Sequence, residues 1–511
     1  MGRKRSNPLS HARGKQQKPE NVWFRRTGAG YSLFLEYYAN QPIGTVAGRY
    51  DDILVTKIPD MKINETNSGK TIEKLGRGLS RAAKRRKKKK GQSMLVLEDV
   101  DQQQSSSIVE AKLLARQTPL SPQLLDAFRH DQSKVTACLL PFVHSMAMPL
   151  PLTLRVRQHD RMTSKKTELL LSAFEGILDK VSFDESIYQA KFSKESISRK
   201  CPELKDLLLE QSQNGSLARQ EIGSMLPVLA LQQVGALGPN SRVLDLCSSP
   251  GSKTLQALEI VGTKGRVVAN DVSETRLTAL RGAVGRSGLP ESYTDRIVYS
   301  CQDATQLILT TTRLWDAAMC DVPCSGDGTC RKDKHVLPMW KPSHGNELHQ
   351  TQVKILLRAL RWVKPGGVVC YSTCSLNPIE DEAVVAAALL HLRGDDKLAP
   401  AVEVIEWPHP TGFTGRPGIA NWKVADYPRD ASDKGLTDEV GVGSGDDGET
   451  PRLQWYETYS EAKDAGMQCA LPSMWPPEKT TDLHLERCTR LWPQDQDTGG
   501  FFLALLRKTA K

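Results

Sequence analysis

Two cysteines lie in short loops that each follow an apolar run of the chain. Cys324 belongs to "DVPCSGDGTC" (321–330) and Cys374 belongs to "YSTCSLNPIEDE" (371–382). A thiolate is a strong nucleophile, and covalent catalysis by cysteine divides one difficult step into easier ones. The alternative is the commonest fate of a free cysteine, a small buried apolar side chain. If the fold brings both loops together, the two thiols would form one reactive site.

A metal site is a second interpretation of these cysteines. Cys320 and Cys324 stand four positions apart, and so do Cys370 and Cys374. Each pair begins on an apolar run typical of a strand, where residues advance ~3.3 Å each, so the partners would lie roughly 13 Å apart. Zinc ligands must surround one ion. The spacing therefore predicts no metal site.

The two loops belong to a regular series of apolar segments that starts near residue 241. Each segment is short and ends in polar or turn-forming residues, and helical stretches separate most of them. The segments are 242–247, 265–271, 296–303, 315–324, 366–374, 402–407 and 499–508. Strands that alternate with helices predict an α/β fold with a doubly wound, Rossmann-like sheet dominated by parallel strands.

In such a sheet, ligands bind at the carboxyl ends of the strands. The polar residues at the predicted strand ends are Cys247, Asp271, Asp303, Asp321, Cys324 and Cys374. We therefore expect these side chains to converge on one edge of the sheet.

The segment "DLCSSPGSKT" (245–254) is a glycine-containing turn between a predicted strand and a predicted helix. Backbone amides in such a turn can approach a ligand closely. The candidate cofactor-binding residues are Cys247, Ser248, Ser249, Pro250, Gly251, Ser252, Lys253, Asp271, Asp303 and Asp321. Asp271 can accept both hydroxyls of a ribose, and Asp303 can accept an amino hydrogen of adenine. Since these residues include no strong pyrophosphate-binding feature, S-adenosylmethionine is a better candidate cofactor than NAD.

Four motifs resemble the Nop/Sun family of RNA cytosine-5 methyltransferases. They are "DLCSSPGSKT", "AND" ending at Asp271, "DVPCSGDGTCRK" and "YSTCSLNPIEDEAVV". The family turn usually reads "CAAPGGKT", and this chain has the small replacements of "CSSPGSKT". The segments "RQEIGSMLPVL" (219–229) and "PGIANWKV" (417–424) resemble the eukaryotic members that methylate tRNA at several sites. The resemblance spans most of residues 21–60 and 140–508.

The resemblance implies that the protein forms 5-methylcytosine in RNA, with S-adenosylmethionine as cofactor and tRNA as the expected partner. It assigns Cys374 as the nucleophile that adds to C6 of cytosine and Cys324 as the thiol that assists release. Addition at C6 makes C5 an enamine carbon that can accept a methyl group. Asp321 is placed to act as an acid near N3. DNA cytosine methyltransferases use the cysteine after the proline as nucleophile, which would exchange the two roles.

The residues after Cys374 predict the start of a helix. Asn377 is a candidate N-cap, Pro378 the first helical residue, and Glu380 the capping-box partner. A helix N-terminus carries partial positive charge. We therefore expect this terminus to favour the thiolate form of Cys374.

Composition divides the chain into three regions. Residues 1–20 are a predicted disordered, basic leader. Residues 21–235 form a predicted N-terminal α/β RNA-binding region, and residues 236–511 form the catalytic methyltransferase domain. Two insertions interrupt them: a basic, disordered one near 61–107 and a Gly/Asp-rich loop near 430–450.

Charge suggests both a partner and a location. The net charge of +10 favours a polyanionic partner such as nucleic acid. Residues 155–157 and Arg219 are candidates for phosphate contact. In the run 81–90, eight of ten residues are basic, which predicts nuclear or nucleolar import, although a solvated tail would have the same composition. The basic N-terminus makes mitochondrial import the second location.

Other classes of function remain open at this point. No apolar run approaches the roughly 20 residues of a membrane span, so we expect no membrane segment. We expect a monomer. Ribosomal RNA, messenger RNA and DNA are alternative substrates, and a non-catalytic RNA-binding scaffold is the alternative from another class.

Overall fold

The structure is a computed structural model, and it describes most of the chain from residue 148 onward. The described residues are 34, 37–38, 41, 142, 145–146, 148–311, 313–333, 335–393, 402–426 and 453–509. The predicted leader (1–20), the insertion near 61–107 with its basic run, and the loop near 430–450 lie outside them. The described residues form one large mixed sheet, one small antiparallel sheet and a two-stranded ribbon.

The small sheet comes first in the chain. Its elements are β1 (Pro151–Val156), α1 (Arg161–Leu171), β2 (Leu178–Val181), β3 (Asp184–Ser193), α2 (Ile197–Lys200), α3 (Pro202–Gln213) and β4 (Leu217–Arg219). The strand order is β2-β3-β1-β4, and all pairs are antiparallel. Leu154, Val156, Leu171 and Leu204 are fully buried in a core that this sheet shares with its helices. Strand β1 is buried along its whole length because it lies between β3 and β4.

The large sheet follows. Its first elements are α4 (Ile222–Gln233), β5 (Arg242–Asp245), α5 (Ser252–Val261), β6 (Arg266–Asp271), α6 (Glu274–Gly285), α7 (Glu291–Thr294), β7 (Ile297–Cys301), β8 (Trp315–Asp321), α8 (Val336–Met339), α9 (Pro342–Asn346), α10 (His349–Trp362) and β9 (Val363–Thr373). The remaining elements of the chain are α11 (Glu382–Arg393), β10 (Val402–Ile405), β11 (Arg416–Pro417), β12 (Val424–Asp426), β13 (Gln454–Tyr456), α12 (Tyr459–Asp464), β14 (Thr489–Leu491), α13 (Pro493–Gln496) and β15 (Phe501–Lys508). Of these, β12 and β13 pair with each other as the two-stranded ribbon, apart from the large sheet.

The strand order of the large sheet is β11-β14-β15-β9-β8-β5-β6-β7, and β10 also pairs with β15. Strands β5 to β9 run parallel, whereas β15 lies antiparallel to β9. Strand β5 has β6 on one side and β8 on the other, so the winding direction reverses beside β5. The predicted doubly wound, Rossmann-like fold is confirmed. Its ligand crevice is expected where the winding reverses, at the carboxyl ends of β5, β6 and β8.

Both faces of the large sheet are covered, because successive residues of a strand point to opposite sides. Val243 packs in the core that includes α4, α5 and α6, and Leu244 packs in the core that includes α10 and α11. Cys320 and Cys370 are buried in these opposite cores. Among the described residues, no group of three or more His, Cys, Asp or Glu side chains could hold a metal ion. No helix in the described ranges has the length and apolar character to cross a membrane.

A buried ion cluster joins the small sheet to the large one. Arg155 on β1 donates to both carboxylate oxygens of Glu259 on α5, at 2.6 and 3.0 Å. Arg157 lies 3.4 Å from the same carboxylate and donates to the Ser287 carbonyl at 2.8 Å. The prediction that residues 155–157 contact phosphate is therefore wrong, because both guanidinium groups are buried against Glu259. Arg219 is exposed, and its phosphate contact stays a prediction.

Replacing Glu259 by glutamine tests whether this ion cluster stabilises the protein. Glu259→Gln keeps the shape of the side chain but leaves two buried guanidinium groups without a counter-ion. Breaking a buried ion pair from one side costs about 3–5 kcal/mol, so the free energy of unfolding in urea should fall by that amount. The matched control is Glu274→Gln, which breaks the exposed pair with Arg281 on α6 and should change stability little. If both variants had the same free energy of unfolding, the buried ion cluster would not stabilise the contact between the two sheets.

Candidate active site

Strands β8 and β9 bring the two cysteine loops together. They pair in parallel, with Asp321 opposite Ser372, so both strands leave the sheet at the same edge. The loops that follow carry Cys324 and Cys374. The two sulfur atoms lie 3.3 Å apart and are half-buried. One site therefore contains both thiols.

The surroundings of Cys324 favour its protonated form. The hydrogen bond with Cys374 and, next, burial raise the pKa of the Cys324 thiol well above its usual range. A raised pKa favours the protonated form of Cys324, whose sulfur lies within hydrogen-bond distance of the Cys374 sulfur.

Glu380 ties the two loops together immediately beside the thiols. Its fully buried carboxylate accepts hydrogen bonds from the backbone N–H of Ser325 at 2.8 Å and from the hydroxyl of Ser375 at 2.9 Å. Ser325 follows Cys324, and Ser375 follows Cys374. Burial raises the pKa of Glu380, and these hydrogen bonds oppose the rise. One side chain thus holds the next residue of both cysteine loops.

The predicted capping box after Cys374 is wrong. Helix α11 begins at Glu382, and a turn precedes it where Pro378 was expected to start the helix. The side chain of Asn377 accepts within that turn, and Glu380 bonds to the two cysteine loops instead of the helix terminus. The expected support of the Cys374 thiolate by a helix starting at Pro378 therefore has no structural basis.

The sequence analysis missed Arg490, which supports the Cys374 loop from β14. Its buried guanidinium group donates to the Glu382 carboxylate at 2.7 Å and to the Leu376 carbonyl at 2.8 Å. It therefore fixes the loop to the first residue of α11. The available signal was an arginine inside the apolar stretch "TRLW" (489–492), where a strand residue facing inward needs a partner.

Asp321 and Lys253 form an ion pair at the end of β8. The ammonium of Lys253 lies 2.8 Å from Asp321, and the hydroxyl of Ser372 donates to the other carboxylate oxygen at 2.9 Å. Burial alone would lower the pKa of Lys253, but the neighbouring Asp321 outweighs it and the pKa is raised. The pair thus presents an ammonium donor beside a carboxylate acceptor. Sequence analysis had expected Lys253 to contact the cofactor and Asp321 to act as an acid near N3 and to contact the cofactor, and it had not paired the two side chains.

The predicted cofactor turn, residues 247–253, connects β5 to α5. Gly251 has φ of +111°, a backbone conformation that other residues rarely adopt, so the turn requires glycine there. Ser248 donates its N–H to the Asn270 carbonyl at 2.8 Å. The hydroxyl of Ser249 is buried and has no hydrogen-bond partner among the described residues. Such a hydroxyl is available to a polar ligand group.

The two predicted nucleoside-binding carboxylates lie at the carboxyl ends of β6 and β7. Asp271 is buried and accepts the N–H groups of Ser249 at 3.3 Å and Ser273 at 3.0 Å. Asp303 is exposed and accepts the N–H and the hydroxyl of Thr305, both at 2.8 Å. A carboxylate offers about four acceptor positions, so both retain capacity for a ligand. Together with the free Ser249 hydroxyl, these groups fit the ribose and adenine of S-adenosylmethionine.

Comparison with known proteins agrees with this chemistry. The family model described as 16S rRNA methyltransferase RsmB/F matches residues 233–411. A multisite-specific tRNA:(cytosine-C(5))-methyltransferase of Schizosaccharomyces pombe is 35% identical over 352 residues, which cover 62% of this chain and 46% of that protein. A tRNA (cytosine(34)-C(5))-methyltransferase of Drosophila melanogaster is 32% identical over 341 residues, 63% of this chain and 41% of that protein. The chain thus spans less than half the length of these relatives.

Among solved structures, a methyltransferase homolog from Pyrococcus horikoshii matches 79% of this chain and 98% of its own, with a TM-score of 0.48 and 21% identity. The family match covers the turn at 247–253, the carboxylates on β6 and β8, and both reactive thiols. Residues 233–411 are therefore similar to the methyltransferases described by the RsmB/F family model.

Proposed function

We propose that this protein is an RNA methyltransferase that forms 5-methylcytosine in tRNA through a covalent bond between Cys374 and C6 of the base. The observation that carries the proposal is the thiol pair, with sulfurs 3.3 Å apart. A non-catalytic RNA-binding scaffold would not need two thiols so placed. Their position at the edge where the ligand crevice opens supports catalysis.

The proposed reaction begins with addition of Cys374 to the base and ends with its release. The Cys374 sulfur forms a bond to C6 as the C5–C6 double bond opens, and the electron pair moves to C5. S-adenosylmethionine, when bound, supplies an electrophilic methyl group that becomes attached to C5. A base then takes the C5 proton, the double bond re-forms, and the Cys374–C6 bond breaks. Because the Cys324 sulfur lies 3.3 Å from the Cys374 sulfur and its pKa is raised, the Cys324 thiol can protonate the Cys374 sulfur as it leaves.

The Lys253–Asp321 pair has a separate role. It offers one proton donor and one acceptor at the end of β8, three residues before Cys324. A cytosine attacked at C6 gains negative charge along N3 and O2, and a nearby ammonium group stabilises such charge. We assign Lys253 and Asp321 to this polar edge of the base. If Asp321 instead acted alone as a protonated acid, it would lose its ion pair with Lys253.

The choice of tRNA has support outside the geometry. Both curated relatives named above act on tRNA according to their names, and the net charge of +10 suits a polyanion. The family description names 16S rRNA, which makes ribosomal RNA the second candidate substrate. Methyl transfer to total RNA followed by bisulfite sequencing separates the two. Label confined to ribosomal RNA would overturn the tRNA assignment.

The cofactor assignment predicts a specific loss of affinity. Asp271→Ala removes a buried carboxylate that would accept the ribose hydroxyls. Charge-assisted hydrogen bonds contribute roughly 1.5–3 kcal/mol, so affinity for S-adenosylmethionine in calorimetry should fall about tenfold to a hundredfold. The control is Asp295→Ala, an exposed carboxylate before β7, at the opposite edge of the sheet. Unchanged affinity in a folded Asp271→Ala protein would disprove the ribose assignment.

The two cysteines should differ in the kind of defect their loss produces. Cys374→Ala removes the nucleophile, so neither methylated RNA nor a covalent complex should form. Cys324→Ala leaves attack intact and slows release, so a protein–RNA complex should survive denaturing electrophoresis. The double variant should lose that complex. If Cys374→Ala were the variant that trapped RNA, the roles would be exchanged, as in DNA enzymes.

Location is a separate proposal, which rests on the basic run of residues 81–90. Such a dense basic block suits nuclear import. Deleting it should move a fluorescently tagged protein from the nucleus to the cytoplasm, as seen by microscopy. Replacing the Gly/Asp-rich residues 430–450 by a Gly/Ser linker of equal length is the control. An unchanged nuclear signal after deletion of 81–90 would refute the proposal.

A further inference from the structure

Three aromatic residues far from the thiols in sequence form one buried helical face. Phe34, Tyr37 and Tyr38 are helical, and their i, i+3 and i+4 spacing places them on the same side. All three are at most 1% exposed. The rings of Phe34 and Tyr37 pack against Trp340, with centroids 5.5 and 5.2 Å away. This face, here called the aromatic face, therefore docks on the residues that follow the Cys324 loop.

The two tyrosines of the aromatic face reach one cysteine loop each. The Tyr37 hydroxyl donates to the side-chain oxygen of Asn377 at 2.7 Å. The Tyr38 hydroxyl donates to the carboxylate of Asp327. Asn377 lies three residues after Cys374, and Asp327 lies three residues after Cys324. Adjacent side chains thus fix equivalent positions of the two loops.

Asp327 extends this connection between the loops. Its second carboxylate oxygen accepts the N–H of Leu376 at 2.9 Å, and the next residue, Gly328, donates its N–H to the Cys374 carbonyl at 2.9 Å. Burial raises the pKa of Asp327, and the hydrogen bonds from Tyr38 and Leu376 oppose that rise. Removing the Tyr38 donor would leave a buried carboxylate oxygen without that partner, which is costly.

The aromatic face is anchored independently of the loops. The side chain of Gln41 donates to the Lys423 carbonyl at 3.0 Å and accepts its N–H at 3.1 Å. Burial raises the pKa of Tyr37 and of Tyr38 well above the usual range, so both phenols remain hydrogen-bond donors. The segment is therefore a fixed support with two donors aimed at the cysteine loops.

We infer that Tyr37 and Tyr38 are positioning residues that hold the two cysteine loops at the separation needed for proton exchange between Cys324 and Cys374. The inference rests on the proposed function only for what the thiols do. The geometry itself predicts that loss of the two hydroxyls lets the loops separate while the sheet and the cofactor turn stay intact.

The test measures the separation of the thiols without RNA. Tyr37→Phe, Tyr38→Phe and the double variant are treated with dibromobimane, which bridges two nearby thiols, in a Cys301→Ser background that lacks one exposed thiol. Mass spectrometry quantifies the bridged Cys324–Cys374 peptides. Loss of a buried hydrogen-bond partner shifts such an equilibrium roughly tenfold, so bridging in the double variant should slow by about that factor. Tyr293→Phe, whose hydroxyl contacts the His159 carbonyl, is the matched control.

Kinetics with tRNA provide the second measurement. The tyrosine variants should show a lower kcat, unchanged KM for tRNA and unchanged affinity for S-adenosylmethionine. A lower melting temperature with unchanged bridging and kcat would overturn the inference, because the aromatic face would then only stabilise the fold. If Tyr38→Phe does not fold, Tyr37→Phe decides alone, since it removes a bond to a neutral amide. If the wild-type protein methylates no RNA but bridging still depends on the tyrosines, the proposed function fails and the positioning inference stands.

Discussion

The parallel pairing of β8 with β9 is the constraint on which the candidate site depends. It sets Asp321 opposite Ser372, so that both strands leave the sheet at one edge and their loops start side by side. The two strands are held in the middle of the sheet, with packed helices on both faces. Close-packed cores resist sliding of a strand by even one residue. The positions where the Cys324 and Cys374 loops leave the sheet are therefore set by the core of the fold.

Buried polar groups then fix the loops that the strands leave unconstrained. Glu380, Asp327 and the Arg490–Glu382 pair all lie within or beside the two cysteine loops and are fully or nearly fully buried. Each has hydrogen-bond partners in the loop around Cys374. In a medium of low polarity such bonds are strong, and an unsatisfied group is costly. The network therefore specifies one loop arrangement, which a purely apolar support could not do.

Charge is distributed differently from what the composition suggests. Arg155, Arg157, Arg331 and Arg490 are buried and bind carboxylates or carbonyl groups inside the protein. These cations join the small sheet, the cysteine loops and the sheet edge to one another. An arginine in an apolar strand segment can therefore bind a buried group inside the protein as well as it can contact RNA. Net charge indicates the class of partner and does not locate the surface that binds it.

The sequence by itself determined seven strands of the large sheet and the glycine turn, because hydrophobic period and turn chemistry are local properties. The roles of Cys324 and Cys374 were predicted from the family resemblance of their motifs. The sequence also predicted that Cys324 and Cys374 meet, since parallel strand ends share an edge. Only the tertiary structure decided the 3.3 Å separation of the two sulfurs and which partners Glu380 takes. It also placed Tyr37 against Asn377, 340 residues away. Such contacts depend on packing between distant segments, which no local pattern encodes.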